Sequence, residues 1–160
     1  MYKHPPPLSQ QRGVALLEVM IAFLLLSIGL LGFSALQVRT VKATQSSLQR
    51  TSATNLALNI LESMRANKVA ATNLSLPYNQ PANTCTYTVP GSPTLAQNDL
   101  DNWFKSVKKA LGNVPSTCAD ITCTDAASAT PGMCTVNIYW DDSRALGGST
   151  TQSVQLVGRL

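Results

Sequence analysis

The chain has 160 residues, of which 12% are charged and 44% hydrophobic. This length fits one globular domain with an added segment, and so hydrophobic a composition excludes an intrinsically disordered chain. The single histidine, His4, lies in the first few residues, which excludes a Ser-His-Asp or Cys-His nucleophile and a multi-histidine metal site. The formal net charge of +4 is too small to indicate a nucleic-acid-binding protein. We therefore expect no enzyme, no resident cofactor and no metal site.

The first predicted element is an apolar run over residues 14–36, VALLEVMIAFLLLSIGLLGFSAL. As a helix it would rise about 35 Å, enough to cross a hydrocarbon core about 30 Å thick. One alternative is a cleavable secretory signal that is cut at Gly32-Phe33-Ser34, but the apolar part of such signals is usually about 7–15 residues long. A plain single-span anchor is the other alternative. It leaves Glu18 unexplained, because a carboxylate in a bilayer is normally paired and functional.

A short basic segment, Gln11-Arg12-Gly13, precedes the run, and Glu18 is the fifth residue after the glycine. This arrangement resembles the type IV prepilin family, in which a basic leader ends in glycine and the fifth mature residue is glutamate. The resemblance implies that prepilin peptidase cuts between Gly13 and Val14 and that the new amino terminus at Val14 is methylated. The family usually has Phe at this position. In the assembled filament, Glu18 would pair with the amino terminus of a neighbouring subunit, because an unpaired charge is costly there.

The helical pattern continues beyond the apolar run. No proline occurs between Pro7 and Pro77, so a single helix of roughly 55 residues, on the order of 80 Å long, is predicted. One apolar stripe at helical spacing is expected to pack on the rest of the chain. The stripe consists of Ala53, Leu56, Ala57, Ile60, Leu61 and Met64. The predicted segments are a leader over 1–13, an apolar membrane-spanning helix half over 14–36, an amphipathic half over 37–70 and a head over 71–160.

The head is predicted to contain short strands and a second helix. That helix is expected to begin at an Asn98 cap, to end at Gly112 and to bury Trp103 and Phe104. The predicted strands are Cys85–Val89, a short strand near Ile121, Cys134–Trp140 and Ser153–Val157, with a turn over 141–148 between the last two. The sequence therefore predicts an α+β fold, in which a long N-terminal helix packs on a small antiparallel sheet with a second short helix.

Four cysteines lie in the head, at Cys85, Cys118, Cys123 and Cys134. Because no Cys-x-x-Cys motif is present and no histidine follows, a zinc site is not expected. Two disulfides are predicted, and they require an oxidising compartment such as the periplasm. We predict the pairs Cys85–Cys118 and Cys123–Cys134, in which the second pair closes a hairpin-like loop. The alternative connectivity is Cys118–Cys123 with Cys85–Cys134.

Within the prepilin family, residues 59–66, Asn-Ile-Leu-Glu-Ser-Met-Arg-Ala, resemble the PilV-like minor pilins. That resemblance implies a minor pilin of the tip or priming complex of a type IV pilus, which promotes assembly, adhesion or twitching motility. The implied partners are prepilin peptidase, other minor pilins, the major pilin and a tip adhesin. The implied location is the bacterial inner membrane with the head in the periplasm, followed by the extracellular pilus.

Two other functions share these features. A minor pseudopilin of a type II secretion system has the same N-terminal motif, and a DNA-uptake pilin could use a patch of Lys105, Lys108 and Lys109. Three lysines on one helix provide only a weak, salt-sensitive contact, so nucleic acid is not an expected partner. Asp141 and Asp142 supply too few oxygens by themselves for a calcium ion, which usually takes six to eight.

Overall fold

The structure is a computed structural model, and it describes the backbone of residues 12–160 and the side chains of residues 15–160. Its elements in chain order are α1 (Arg12–Ala66), α2 (Lys68–Ala71), β1 (Gln80–Thr84), α3 (Leu95–Leu111), β2 (Cys118–Cys123), β3 (Met133–Trp140) and β4 (Gln152–Arg159). The predicted α+β fold is confirmed, since a long N-terminal helix packs on a small antiparallel sheet with a short second helix.

The chain divides into two compact units, an N-terminal unit up to Val41 and a C-terminal unit from Lys42 to Leu160. α1 is one helix of 55 residues, the length predicted from the absence of proline. In the N-terminal unit, every side chain from Ala15 to Val41 is exposed. This unit therefore has no hydrophobic core of its own in the part that the structure describes.

The C-terminal unit is built on a four-stranded sheet with the order β1-β2-β3-β4, in which every pair is antiparallel. Residues that lie opposite each other on β2 and β3 are buried together. Examples are the pairs Ile121–Val136 and Ala119–Ile138. Side chains of α1 and α3 complete the same core. The predicted α1 stripe is confirmed, because five of its members are at most 1% exposed and Leu56 is half-buried against them.

The two helices of this unit are joined by a hydrogen bond as well as by apolar packing. The indole Nε1 of Trp103 in α3 donates to the backbone oxygen of Leu56 in α1 over 2.8 Å. Trp103 is 2% exposed, and the ring of Phe104 meets it edge to face at a centroid distance of 5.1 Å. The prediction that both aromatic residues lie in the core is confirmed.

The predicted start of α3 at Asn98 is wrong. The helix begins at Leu95, because Thr94 and Gln97 form a capping box in which each side chain bonds the other's backbone N–H. These two bonds satisfy N–H groups that would otherwise have no partner at the helix start. The predicted end is confirmed at Gly112, whose φ of 111° favours glycine.

The predicted strand Cys85–Val89 is also wrong, since β1 lies immediately before it, at Gln80–Thr84. Two contacts hold the predicted segment outside the sheet. Cys85 is bonded to Cys118, and the Tyr87 ring stacks on Phe104 at a centroid distance of 5.6 Å. The alternation that favours a strand here thus reflects contacts with β2 and α3.

Candidate functional site

The predicted processing and assembly residues lie at the start of α1. Gly13 and Val14 are within the first turns of the helix, which begins at Arg12, but their side chains are outside the described part of the chain. Residues 1–11, which form most of the predicted leader, are also outside it. Glu18 is described, and its side chain is exposed among exposed apolar neighbours such as Leu17 and Val19.

Glu18 differs from the other polar side chains of the apolar run because it has no hydrogen-bond or ion-pair partner among the described residues. The hydroxyl of Ser27 donates to the Phe23 oxygen over 2.7 Å, and that of Ser34 donates to the Leu30 oxygen over 2.8 Å. Neither hydroxyl therefore needs a partner outside the helix. The side chains of residues 15–160 form two ion pairs, and neither involves Glu18.

The apolar run also meets the requirements for a membrane span. One helix in the described chain is long and apolar enough to cross a membrane, with a mean hydropathy of 2.5 in its apolar window, and none of that window is buried. Exposed apolar side chains of this size cost free energy in water. A lipid bilayer or the core of a filament would remove that cost.

Comparison with known families gives one match. Residues 8–34 match the family described as the prokaryotic N-terminal methylation motif. This chain carries a prepilin-type motif. The match is confined to the N-terminal part of the chain, and it supports a type IV pilin-like role. The motif implies processing by prepilin peptidase and assembly with other pilins. It also fits a membrane-anchored pilin. No curated protein and no solved structure matches the chain significantly.

The C-terminal unit contains both disulfides, Cys85–Cys118 and Cys123–Cys134. This is the connectivity predicted from the sequence, and it replaces the alternative in which Cys118 pairs with Cys123. The second bridge joins directly opposite residues of β2 and β3. The first bridge attaches the segment after β1 to the start of β2.

Two of the three lysines in the predicted patch are bonded to groups of the chain itself. Lys105 forms an ion pair with Asp101 over 2.6 Å, and Lys108 donates to the Val114 oxygen over 2.9 Å. Burial lowers the pKa of Lys108. The three lysines line a groove of about 400 Å³, together with the stacked rings of Tyr87 and Phe104. Because the Asp101 carboxylate neutralises Lys105, the geometry adds no support for a nucleic-acid contact.

Asp141 and Asp142 have different environments at the end of β3. Asp141 is exposed and accepts from the Ser143 N–H over 2.8 Å, and this backbone hydrogen bond lowers its pKa. Asp142 is 5% exposed and accepts from the Ser46 hydroxyl of α1 over 2.5 Å. Among the described residues, no group of three or more His, Cys, Asp or Glu side chains could hold a metal ion.

Sequence reasoning missed two polar groups that organise the C-terminal unit. The sequence predicts only a turn at Asp142, whereas the Asp142 side chain connects the β3–β4 turn to α1. No pattern in the sequence indicates a role for Tyr78, which is fully buried and bonded to Asp99 in α3. No spacing in the sequence relates Tyr78 to Asp99 or Asp142 to Ser46, because both contacts depend on the tertiary fold.

Proposed function

We propose that the chain is a minor pilin of a type IV pilus, processed after Gly13 and incorporated into the tip or priming complex. The observation that carries this proposal is the methylation motif at residues 8–34. Its residues 12–34 lie on an apolar helix whose described side chains are exposed, and Glu18 has no ion-pair partner among the described residues. The helix leads into a C-terminal unit with two disulfides, which fits a head in the periplasm.

The proposed role of Glu18 follows from the cost of an unpaired carboxylate in an apolar environment. Cleavage after Gly13 would create an ammonium group at Val14, four residues before Glu18. In a filament, the Glu18 carboxylate of one subunit would pair with the Val14 ammonium of its neighbour. A subunit that supplies this partner is favoured over one that does not, because breaking a buried pair costs about 3–5 kcal/mol.

Processing is tested with the variant Gly13→Val. We expect the full-length precursor to accumulate in the inner membrane, because the added side chain would block the close approach of the peptidase to the backbone. Mass spectrometry of the amino terminus gives the result. A mature chain that begins at residue 14 in this variant would contradict the assigned cut site.

Assembly is tested with Glu18→Gln, which keeps the size of the side chain and removes its charge. We expect this variant to be cleaved and inserted normally but to be depleted from sheared pili, because it cannot form the intersubunit ion pair. Ser34→Ala is the matched control on the same helix, since its hydroxyl bonds within the helix, and it should assemble normally. Equal amounts of wild type and Glu18→Gln in sheared filaments would refute the pairing role.

The location of the chain separates the two pilin-like functions. Quantitative proteomics of sheared surface filaments and of the membrane fraction should find this chain in the filaments at a small fraction of the major pilin. Its presence only in the membrane fraction, together with a secretion defect on deletion, would instead assign it to the pseudopilins of a type II secretion system.

A further inference from the structure

The two edges of the sheet are built differently. β1 is five residues long, contains Pro81, pairs irregularly with β2 and has Asn83 at a φ of 58°. Short length, proline and irregular pairing are the features by which natural proteins prevent an edge strand from binding another strand. β4 has none of them. All eight of its residues pair with β3 in one continuous register.

The register identifies the backbone groups that β4 leaves open. The Leu160 N–H donates to the Gly132 oxygen over 2.9 Å, so these two opposite residues form a hydrogen-bonded pair. Hydrogen-bonded and non-hydrogen-bonded pairs alternate along an antiparallel ladder. The even-numbered residues of β4 therefore bond to β3. The odd-numbered residues then direct their N–H and C=O groups to the open side. Arg65 of α1 donates to the Arg159 oxygen from Nε and Nη2, over 3.2 and 3.1 Å. Ser153, Gln155 and Val157 remain without a backbone partner in the described chain.

Cationic side chains lie at both ends of this edge. At one end, Arg50 of α1 donates to the Gln152 side chain over 2.9 Å. At the other end, Arg65 and Lys68 bind the carbonyl oxygens of Arg159 and Leu160. Among residues 15–160, one acidic side chain is bonded to any of these cations. It is Glu62, which pairs with Arg65.

The edge also extends the hydrophobic core. Val154 and Leu156 are half-buried against the core, on the same face of β4 as Gly158, which lies against Leu61 of α1. A strand added beside β4 could therefore bury apolar side chains at alternate positions next to them. A second copy of β4 is a poor occupant, because it would bring Arg159 and the cations of its own α1 to an edge that is already cationic.

We propose that the open edge of β4 binds an extended segment of another protein that alternates apolar and polar residues and carries carboxylates. The main-chain groups of Ser153, Gln155 and Val157 would hydrogen-bond this segment, and the cations at the two ends would select its charge. This inference goes beyond the proposed function, because it concerns a partner of the C-terminal unit and does not involve the N-terminal motif.

The test uses the full chain in detergent micelles and fluorescent peptides of eight residues. One probe alternates threonine with valine and has aspartate at both ends, and its matched control has lysine at both ends. We expect fluorescence anisotropy to show binding of the acidic probe that weakens as salt is raised. The lysine probe should bind about tenfold more weakly, which corresponds to 1.4 kcal/mol.

The variant Gln155→Pro removes an N–H on the open side and no hydrogen bond to β3, and Gln155→Thr is its matched control. We expect Gln155→Pro to bind the acidic probe about tenfold more weakly than Gln155→Thr, because a main-chain hydrogen bond is lost and the proline ring obstructs the edge. If Gln155→Pro does not fold, two acidic probes N-methylated at alternate residues replace it. One of the two should lose binding to the wild-type chain and the other should keep it.

Three results would overturn the proposal. These are the absence of saturable binding to the wild type, equal binding of the acidic and lysine probes, and equal binding to Gln155→Pro and Gln155→Thr. Self-association of the wild type that Gln155→Pro abolishes would assign the edge to a second copy instead. Because no filament is needed for this experiment, its failure would leave the proposed pilin function standing, and a failed assembly test would leave this inference standing.

Discussion

At the scale of single residues, Tyr78 joins three segments of the C-terminal unit through its hydroxyl. It donates to Asp99 Oδ2 of α3 over 2.5 Å and accepts from Asn67 Nδ2, between α1 and α2, over 3.1 Å. The side chain is fully buried. Burial, and then the hydrogen bond to Asp99, raise the pKa of Tyr78 to about 12. The neutral phenol is therefore the form that the fold stabilises.

The variant Tyr78→Phe tests this network. At pH 7 we expect the free energy of unfolding to fall by about 1.5–3 kcal/mol, the usual worth of a hydrogen bond to a charged group. Because the pKa of Tyr78 is higher in the folded state than its ordinary value of 10.0, its stabilising effect is complete below pH 10. It is lost as the pH rises through about 12.

The measurement is urea unfolding of the full chain in micelles at several pH values, followed by the fluorescence of Trp103 and Trp140. The difference in stability between wild type and Tyr78→Phe should shrink from pH 10 to pH 12. Ser106→Ala, on the exposed side of α3, is the control and should change stability little at every pH. A difference that stays constant from pH 7 to pH 12 would show that the phenol does not titrate as expected.

At the scale of elements, periodicity and capping rules predict most of the fold. β2, β3 and β4 are found where alternation or a turn predicts them, and α1 has the predicted length. The capping box at Thr94 and Gln97 has a sequence signature, threonine followed three residues later by glutamine, so the start of α3 could have been identified. The position of β1 could not, because it depends on where Cys85 and Tyr87 make contacts with distant elements.

In the candidate site, too, some features can be predicted from local sequence and others depend on the tertiary fold. Glu18 and the methylation motif are identified by local spacing, and the cysteine pairing follows from a hairpin between β2 and β3. The open edge of β4 cannot be identified in this way. Its exposure depends on the strand order of the sheet, and the cations at its ends include Arg50 and Arg65 of α1, some hundred residues earlier in the chain.

The two disulfides differ in accessibility, and this predicts the order in which they are reduced. Cys85 is half-buried, whereas Cys123 and Cys134 are 3% and 0% exposed. Since thiol–disulfide exchange needs access to a sulfur atom, we expect Cys85–Cys118 to be reduced first under native conditions. Stepwise reduction followed by alkylation and peptide mapping gives the order. Alkylation of Cys123 and Cys134 before Cys85 would contradict the prediction, and the same experiment in denaturant, where both bridges are accessible, is the control.

At the scale of the whole molecule, the hydrophobic side chains serve two separate purposes. Those of the C-terminal unit form one core between the sheet and two helices. Those of residues 15–41 are all exposed and contribute no core. The low charge content therefore reflects a folded unit joined to a segment that needs an apolar environment. One continuous helix, α1, belongs to both units.

This division predicts that residues 42–160 fold without the preceding segment. The fragment keeps the whole buried stripe of α1, the acceptor oxygen of Leu56 for Trp103 and all four cysteines. It lacks only residues whose described side chains are exposed. We expect it to be monomeric without detergent, to form both disulfides and to have a melting temperature within about 4 °C of the full chain in micelles, a shift worth about 1 kcal/mol.

The control for this prediction is a shorter fragment, 58–160, which deletes Ala53, Leu56 and Ala57. It loses part of the stripe and leaves the buried Nε1 of Trp103 without its acceptor, which costs about 1–3 kcal/mol by itself. We expect this fragment to unfold well below the temperature of 42–160, or to aggregate. Circular dichroism and size-exclusion chromatography measure both fragments. If 42–160 melted as early as 58–160, then the segment before Lys42 would stabilise the C-terminal unit, and the two units would not be independent in folding.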